Sequence, residues 1–300
     1  MLIVFQSVDD ISGSYRFRYR KVASKREIDV MIEDSQQCLD HEHGPLFAAD
    51  LFDFGSDQFA FLTAHHIVID LVSWRLLLEE LEEILRGGEL LPPALPFQKW
   101  AELQIEQAET LEFDKVLPPV DVPLLDFDYW GIQREDNTYG NASHALFELD
   151  SDISSVFLTN CHTAFRTEPV ELLLASLIQS WSRVFIDRPI PAIFNEGHGR
   201  EPWSSDLDIS RTVGWFTALS PILVTPSDDP TETVRKVKDF KRRIPGNGRP
   251  YFARRCLTEE GRDQYKTHWP MEILFNYLGQ YQVRTSMNRF QITANDSNSN

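Results

Sequence analysis

Two spacings of apolar residues alternate along the first part of the chain. Short apolar runs flanked by turn residues predict strands over residues 2–5, 15–19, 46–54 and 59–64. Apolar positions three and four residues apart predict helices over residues 24–39, 73–86 and 97–113. Strands that alternate with helices in this way predict a mixed α/β (α+β) fold.

The same pattern returns after a proline-rich segment, Leu117–Pro123, which is the best candidate for a linker. Strands are predicted over residues 144–149, 190–195, 219–225 and 271–277, and helices over residues 151–165, 169–185 and 230–243. We therefore expect a first lobe at 1–117, a linker at 118–140, a second lobe at 141–290 and a disordered polar tail at 291–300.

The composition narrows the classes of partner. The chain has 46 acidic and 29 basic residues and a formal net charge of −17, which argues against nucleic acid and anionic membranes as bulk partners. No run of 18 apolar residues is present, so no membrane-spanning helix is predicted. The three cysteines, Cys38, Cys161 and Cys256, are far apart and odd in number, which predicts reduced thiols in a cytoplasmic protein.

Candidate chemistry lies where the predicted strand 59–64 ends and the predicted helix 73–86 begins. His65, His66 and Asp70 occupy this junction, which is a usual place for a site in an α/β protein. Three interpretations are open: histidines that are solvated or locally hydrogen-bonded, metal ligands, or a general base. A metal site would need further ligands, and neither a nearby cysteine nor an HExxH motif supplies them.

Five short motifs, the first of which contains these residues, follow one another in a fixed order. They are HHIVIDLVSW at 65–74, EGHGRE at 196–201, RTVGWFT at 211–217, RIPGNGRPY at 243–251 and ILFNYLGQY at 273–281. Together they resemble the motifs of nonribosomal peptide synthetase epimerization domains of the fungal type, which belong to the condensation-domain superfamily. EGHGRE, VGWFT and FNYLGQ are typical of the epimerization branch rather than of the domains that form peptide bonds.

This resemblance implies a fold and a reaction. The implied fold is a V-shaped pseudo-dimer of two lobes similar to chloramphenicol acetyltransferase, here incomplete, with the active site in the channel between the lobes. The implied reaction is inversion, from L to D, of the α-carbon of an aminoacyl or peptidyl thioester. The implied partners are a peptidyl carrier protein, which holds the substrate on its 4′-phosphopantetheine, and other synthetase modules. The resemblance implies no directly bound cofactor and no metal.

The resemblance also assigns roles, position by position. His66 and Glu196 would form the catalytic pair that removes and returns the α-proton. Asp70 is expected to hold the turn by pairing with an arginine, whereas Asn276 and Tyr277 are expected to line the site and donate hydrogen bonds to the developing enolate. The supporting candidates are His65, His198 and Arg200.

Without the resemblance these residues have ordinary interpretations. Glu196 is then a surface carboxylate, although Gly197 and Gly199 would let the backbone turn sharply or approach a ligand closely. The basic end of the predicted helix 230–243 is then a solvated helix terminus that complements the helix dipole. The sharper interpretation is a docking point for an acidic carrier protein or a pantetheine phosphate. This basic cluster consists of Lys236, Lys238, Lys241, Arg242 and Arg243.

Three departures from the family pattern leave three functions in competition. Leu71 stands where the family has glycine, which predicts strain or a narrower channel if the position needs a positive φ or a close backbone approach. The family's N-terminal portion and the part after FNYLGQ are expected to be missing, which would expose sheet edges. The candidate functions are an epimerase, a condensation-type acyltransferase in which His66 orients or deprotonates an amine, and a truncated, inactive remnant that only docks a carrier protein.

Overall fold

The computed structural model describes residues 13–55 and 57–279, so the predicted strand 2–5 and the predicted tail 291–300 lie outside the described residues. The strands are β1 (Tyr15–Lys21), β2 (Phe47–Phe54), β3 (Asp57–Ala64), β4 (Ile193–Gly197), β5 (Ala218–Ile222) and β6 (Ile273–Asn276). The longer helices are α1 (Lys25–Gln37), α2 (Leu71–Leu85), α3 (Phe97–Thr110), α7 (Pro169–Val184), α8 (Pro230–Arg243) and α9 (Arg249–Leu257). The shorter helices are α4 (Phe127–Trp130), α5 (Ser151–Val156), α6 (His162–Phe165) and α10 (Glu259–Gln264). These elements confirm the predicted mixed α/β class.

Contacts divide the chain into two compact units that are discontinuous in sequence. Unit 1 contains the described residues up to Leu124, together with His198–Ser220 and Asp239–Pro270. Unit 2 contains Leu125–Gly197, Pro221–Lys238 and the described residues from Met271 onward. This grouping differs from the contiguous lobes proposed from the sequence, because the segments 198–220 and 239–270 pack with the first part of the chain.

Unit 1 begins with a three-stranded sheet in the order β1-β2-β3. β1 and β2 are parallel and are connected through α1, whereas β2 and β3 form an antiparallel hairpin. α1 packs on the face of β2 that buries Ala48, Asp50 and Phe52. The buried Asp50 carboxylate accepts hydrogen bonds from Arg18 Nε and from Ser35 Oγ on α1, so a buried polar network stabilises the contact between the helix and the sheet.

The core of unit 1 that lies nearest the candidate site is aromatic. Trp100 of α3 stacks on Trp203 at 5.0 Å between ring centroids, and Phe216 lies 5.9 Å from Trp100. Trp100, Phe216 and Ile209 are all buried, so α3 is fixed against the segment 198–220.

Unit 2 contains the parallel pair β4 and β6. β4 buries Ile193 and Phe194, and α7 buries Leu174 and Ile178 among its apolar positions. Pro169 in the first turn of α7 suits a helix start, because proline lacks only an N–H that has no intrahelical partner there.

One predicted strand is wrong. The structure gives residues 144–149 no ladder partner, and Leu146 and Phe147 are 89% and 84% exposed. An apolar run becomes a strand only when another strand supplies its hydrogen bonds, and none of the described strands does so here. The sequence also did not predict α9, which begins within the glycine-rich motif RIPGNGRPY at 243–251, or α10, which follows it. Within the described residues, no helix has the length and apolar character that crossing a membrane requires.

Candidate active site

The two histidines after β3 have different environments. His65 caps a short 3-10 turn, His66–Val68, and its Nδ1 accepts a hydrogen bond from the backbone N–H of Ile67 at 3.2 Å. The imidazole of His66 is exposed and makes no hydrogen bond within the described residues. It meets the Trp215 ring edge-on, with 5.5 Å between the two ring centroids. The local fold therefore uses a nitrogen of His65 and leaves the His66 imidazole available for chemistry.

Asp70 fixes the end of this turn. It is the N-cap of α2, where its Oδ1 accepts from the backbone N–H of Ser73 at 2.7 Å. The guanidinium of Arg200 binds both carboxylate oxygens, with Nη2 at 2.9 Å from Oδ1 and 3.0 Å from Oδ2. Both side chains are nearly buried, at 13% and 11% exposure. This is a charge-assisted pair that constrains the turn rather than an acid or base open to substrate.

The segment around Gly214 is hydrogen-bonded to the same turn. Asp70 N–H donates to the Gly214 carbonyl at 3.1 Å, and Phe216 N–H donates to Asp70 Oδ2 at 3.3 Å. Ser73 Oγ donates to the Gly214 carbonyl at 2.9 Å and accepts from the Gly214 N–H at 3.0 Å. The VGWFT motif is therefore attached to the HHxxxD motif through the backbone on both sides of Trp215.

Leu71 does not have the backbone conformation that would make it strained. It is the first residue of α2, and the non-glycine residues with positive φ in the described part of the chain are Arg166 and Asn247. Its side chain is 39% exposed. Leucine at this position therefore adopts an ordinary helical conformation.

Glu196 lies on β4 itself rather than after the strand. In the parallel register Glu196 is the partner of Asn276 on β6. The two side chains meet, and Asn276 Nδ2 donates to Glu196 Oε2 at 3.0 Å. The register of two short strands in unit 2 thus joins the EGHGRE and FNYLGQ motifs. Tyr277 follows β6 and is half-buried.

The EGHGRE motif continues into unit 1, where its last residues form a second polar cluster. His198 Nδ1 accepts from the backbone N–H of Arg200 at 3.1 Å, and its Nε2 lies 3.5 Å from Glu201 Oε1. Glu201 also accepts from Asn247 Nδ2 at 2.7 Å, which connects this motif to the glycine-rich motif. His198 and Glu201 therefore stabilise the loop that carries Arg200.

The glycine-rich motif forms a tight turn before α9. Gly246, Asn247 and Gly248 all have positive φ, at 48°, 50° and 93°. The guanidinium of Arg249, which is 3% exposed, lies 4.5 Å from the ring of Trp203, and burial lowers its pKa to about 10.

The basic cluster on α8 is partly engaged with the backbone. Lys238 donates to the carbonyl of Phe165 at 2.8 Å, and Lys236 donates to the carbonyl of Thr225 at 3.4 Å. Lys236 and Lys238 are therefore bound to carbonyl oxygens, and a docking role for the cluster stays a prediction. In the described part of the chain, no group of three or more histidine, cysteine or acidic side chains is placed to hold a metal ion.

The structure brings together residues that the sequence did not single out. Ser73, Glu201 and Trp215 all lie inside the motifs, yet none was predicted as a site residue. The motif order was the only signal for them, because their partners are far away in the sequence.

A family model described as Condensation domain matches residues 10–299. Nonribosomal peptide synthetase 4 of Gibberella zeae is 47% identical over 280 residues, which cover 91% of this chain and 4% of that protein. Apicidin F synthase of Gibberella fujikuroi is 44% identical over 292 residues, which cover 91% of this chain and 6% of that protein. The chain thus spans a small part of the length of these relatives.

Two solved structures are also similar to this chain. The epimerization domain from the third module of tyrocidine synthetase B is 27% identical with a TM-score of 0.65, covering 89% of this chain and 65% of that one. VibH, a condensation enzyme, is 17% identical with a TM-score of 0.57, covering 78% of this chain and 57% of that one. At 17% identity, the similarity to VibH shows the fold alone.

Proposed function

This chain belongs to the condensation-domain family, and we propose that within this family it is an epimerization domain. Its substrate would be an aminoacyl or peptidyl thioester held on the 4′-phosphopantetheine of a carrier protein, and its reaction would be inversion of the α-carbon from L to D. The observation that carries the proposal is the hydrogen-bonded pair Glu196–Asn276. Peptide-bond formation needs a group that acts on the attacking amine, whereas inversion needs a second acid–base group, and Glu196 supplies one.

The proposed reaction proceeds through an enolate. The Cα–H bond breaks, its proton passes to a base, and its electron pair moves into the thioester carbonyl. Protonation of the enolate on the opposite face then gives the D-thioester. His66 and Glu196 are the two proton-transfer groups, and which of them removes the proton depends on the direction of the reaction. Asn276 fixes the Glu196 carboxylate, and Asn276 and Tyr277 are the proposed donors to the enolate oxygen.

Connectivity and sequence similarity support this assignment. Three residues separate Glu196 from Arg200 in the chain, and Arg200 binds Asp70 at the end of the turn that carries His66. The EGHGRE motif thus contains both Glu196 and the arginine that holds the turn carrying His66. The 27% identity to a solved epimerization domain favours the same reaction type over the condensation type.

The test is α-proton exchange in deuterated water. The whole chain is incubated with an L-aminoacyl thioester on a carrier protein, and the mass and chirality of the product are measured. We expect deuterium incorporation with D-product, and a loss of roughly 10²- to 10⁴-fold in rate for both Glu196→Gln and His66→Ala. The matched controls are Glu148→Gln and His144→Ala, which change exposed residues. Both variants should catalyse α-proton exchange at the wild-type rate.

Two other outcomes would each identify another function. Peptide-bond formation with a supplied aminoacyl acceptor, lost in His66→Ala but kept in Glu196→Gln, would identify the condensation-type acyltransferase. Carrier-protein binding without exchange or bond formation, by a sample whose far-UV spectrum shows a folded α/β protein, would identify the docking remnant. Either result would overturn the epimerase assignment.

A further inference from the structure

We propose that Trp215 is a positioning residue that sets the ring orientation of His66; its kinetic consequence rests on the proposed function. Trp215 is half-buried, and its indole lies 5.5 Å from the His66 imidazole, with the two ring planes at 63°. Edge-on pairs of this kind are a favoured geometry, because the positive edge of one ring meets the negative face of the other.

The His66 side chain has little else to hold it. Its ring makes no hydrogen bond within the described residues and is exposed on the 3-10 turn. The neighbouring His65 is held differently, through the hydrogen bond from Ile67 to its Nδ1. An imidazole that is attached only through its Cβ would sample several rotamers, and each wrong rotamer would be unable to reach the α-proton.

Trp215 is well placed to restrict this motion because its own backbone is fixed on both sides. Gly214 exchanges hydrogen bonds with Ser73 Oγ, and Phe216 N–H donates to Asp70 Oδ2. Gly214 also packs so closely on Phe97 that an added Cβ would lie 2.2 Å from its ring. The backbone of Trp215 therefore occupies a fixed position relative to the turn that carries His66, from which its indole reaches the His66 ring.

Alternating burial directs the indole to the same side as the exposed part of the motif. Thr212, Gly214 and Phe216 are buried, whereas Val213 is exposed and Trp215 is half-buried. The inward residues anchor the segment, so the outward indole is not needed to fill the core. This separation makes a functional test of Trp215 possible with limited damage to the fold.

The test compares three substitutions. Trp215→Phe keeps an aromatic edge and face, Trp215→Leu keeps apolar bulk without a ring, and Trp215→Ala removes both. In the exchange assay we expect Trp215→Leu and Trp215→Ala to lower kcat roughly 2- to 10-fold with little change in KM. Trp215→Phe should keep most of the wild-type kcat, because it keeps an aromatic ring beside His66. Trp269→Leu, which removes an exposed indole that lies over Arg255, is the matched control and should leave kcat unchanged.

A second readout does not depend on turnover. The rate at which diethyl pyrocarbonate acylates His66 is measured by peptide mass spectrometry, with the exposed His43 as internal reference. We expect acylation of His66 relative to His43 to rise roughly 2- to 10-fold in Trp215→Leu and to stay near wild type in Trp215→Phe.

The two readouts separate the failure of this inference from the failure of the proposed function. If the wild type exchanges no α-proton but Trp215→Leu still changes the acylation ratio, the epimerase assignment fails and the positioning role stands. If Trp215→Leu matches the wild type in acylation, the positioning role is overturned whatever the activity. Equal losses of kcat in Trp215→Phe and Trp215→Leu would also overturn it.

Discussion

Asp70 is held by several hydrogen bonds at the end of the turn that carries His66. Its carboxylate accepts hydrogen bonds from Ser73 N–H, from Phe216 N–H and from the Arg200 guanidinium. A carboxylate that is nearly buried and occupied in this way stabilises its surroundings but has no lone pair directed at a substrate. The aspartate of the HHxxxD motif therefore holds the turn that carries His66.

This role leads to a prediction for Asp70→Asn. Asparagine caps a helix as well as aspartate does, so the substitution keeps the cap of α2 through Oδ1 and removes the negative charge opposite Arg200. It also replaces Oδ2, which accepts from Arg200 and from Phe216 N–H, with an NH2 donor. A nearly buried guanidinium without its counter-charge costs about 3 kcal/mol. We expect the free energy of unfolding, measured in urea, to fall by about that amount.

The control for this prediction is Asp150→Asn. Asp150 is also an N-cap, that of α5, and accepts from Ile153 N–H, but among the described residues it pairs with no arginine. We expect its free energy of unfolding to change by less than about 0.5 kcal/mol. Equal effects of Asp70→Asn and Asp150→Asn would show that Arg200 does not depend on the Asp70 charge.

At the scale of elements, the site depends on loops that pass very close to one another. Gly199 has φ +63°, and a Cβ at this position would lie 2.4–2.6 Å from three backbone atoms of Thr217. The EGHGRE loop and the VGWFT segment therefore touch through their backbones. A flexible side chain could move aside, but a hydrogen-bonded backbone cannot do so without displacing Phe216 and the ring of Trp215.

We therefore predict that Gly199→Ala is far more damaging than a normal glycine substitution. The left-handed φ alone costs about 1–2 kcal/mol, and the overlap with Thr217 adds about 1–3 kcal/mol. Gly87→Ala is the matched control, because Gly87 has φ +79° and an added Cβ would meet nothing within 4 Å. This variant should therefore lose only the free energy that the left-handed φ costs. Urea unfolding of both variants measures the difference, and equal losses would show that the loops can separate.

At the scale of the whole molecule, the sequence predicted local structure better than packing. α8 was predicted to the residue, and α1 and α7 to within two residues, because an amphipathic period and local start signals such as Ser24 and Pro169 depend on neighbouring residues alone. The predicted strand 144–149 failed because a strand also needs a partner, which no local pattern specifies.

The candidate site follows the same division. The motifs identified His66, Asp70, Glu196 and Asn276, but the register that joins Glu196 to Asn276 and the pairing of Asp70 with Arg200 connect residues 80 and 130 positions apart. Contacts over such separations are set by topology, as is the grouping of residues 198–220 and 239–270 with unit 1. Sequence periodicity carries no information about either.

The same distant segments of unit 1 predict how the stability of the molecule depends on pH. His268 is buried, and its Nδ1 is hydrogen-bonded to the hydroxyl of Tyr251 at 2.8 Å. Burial, with a smaller contribution from the Arg255 cation, lowers the pKa of His268 to about 4, although the Asp121 carboxylate opposes this shift. An unfolded histidine titrates near pH 6.5, so between pH 6.5 and 4 the unfolded chain binds a proton that the folded chain does not.

The free energy of unfolding should therefore decrease as the pH falls through this window, by up to about 3 kcal/mol for one histidine. Urea unfolding between pH 7.5 and about 4.5 measures the slope, and the window lies above the range in which Asp40, with a pKa of about 2, takes up its proton. His268→Gln should flatten this part of the curve, whereas His144→Gln, at an exposed position, should leave it unchanged. An unchanged slope in a folded His268→Gln protein would show that the acid sensitivity arises from other groups.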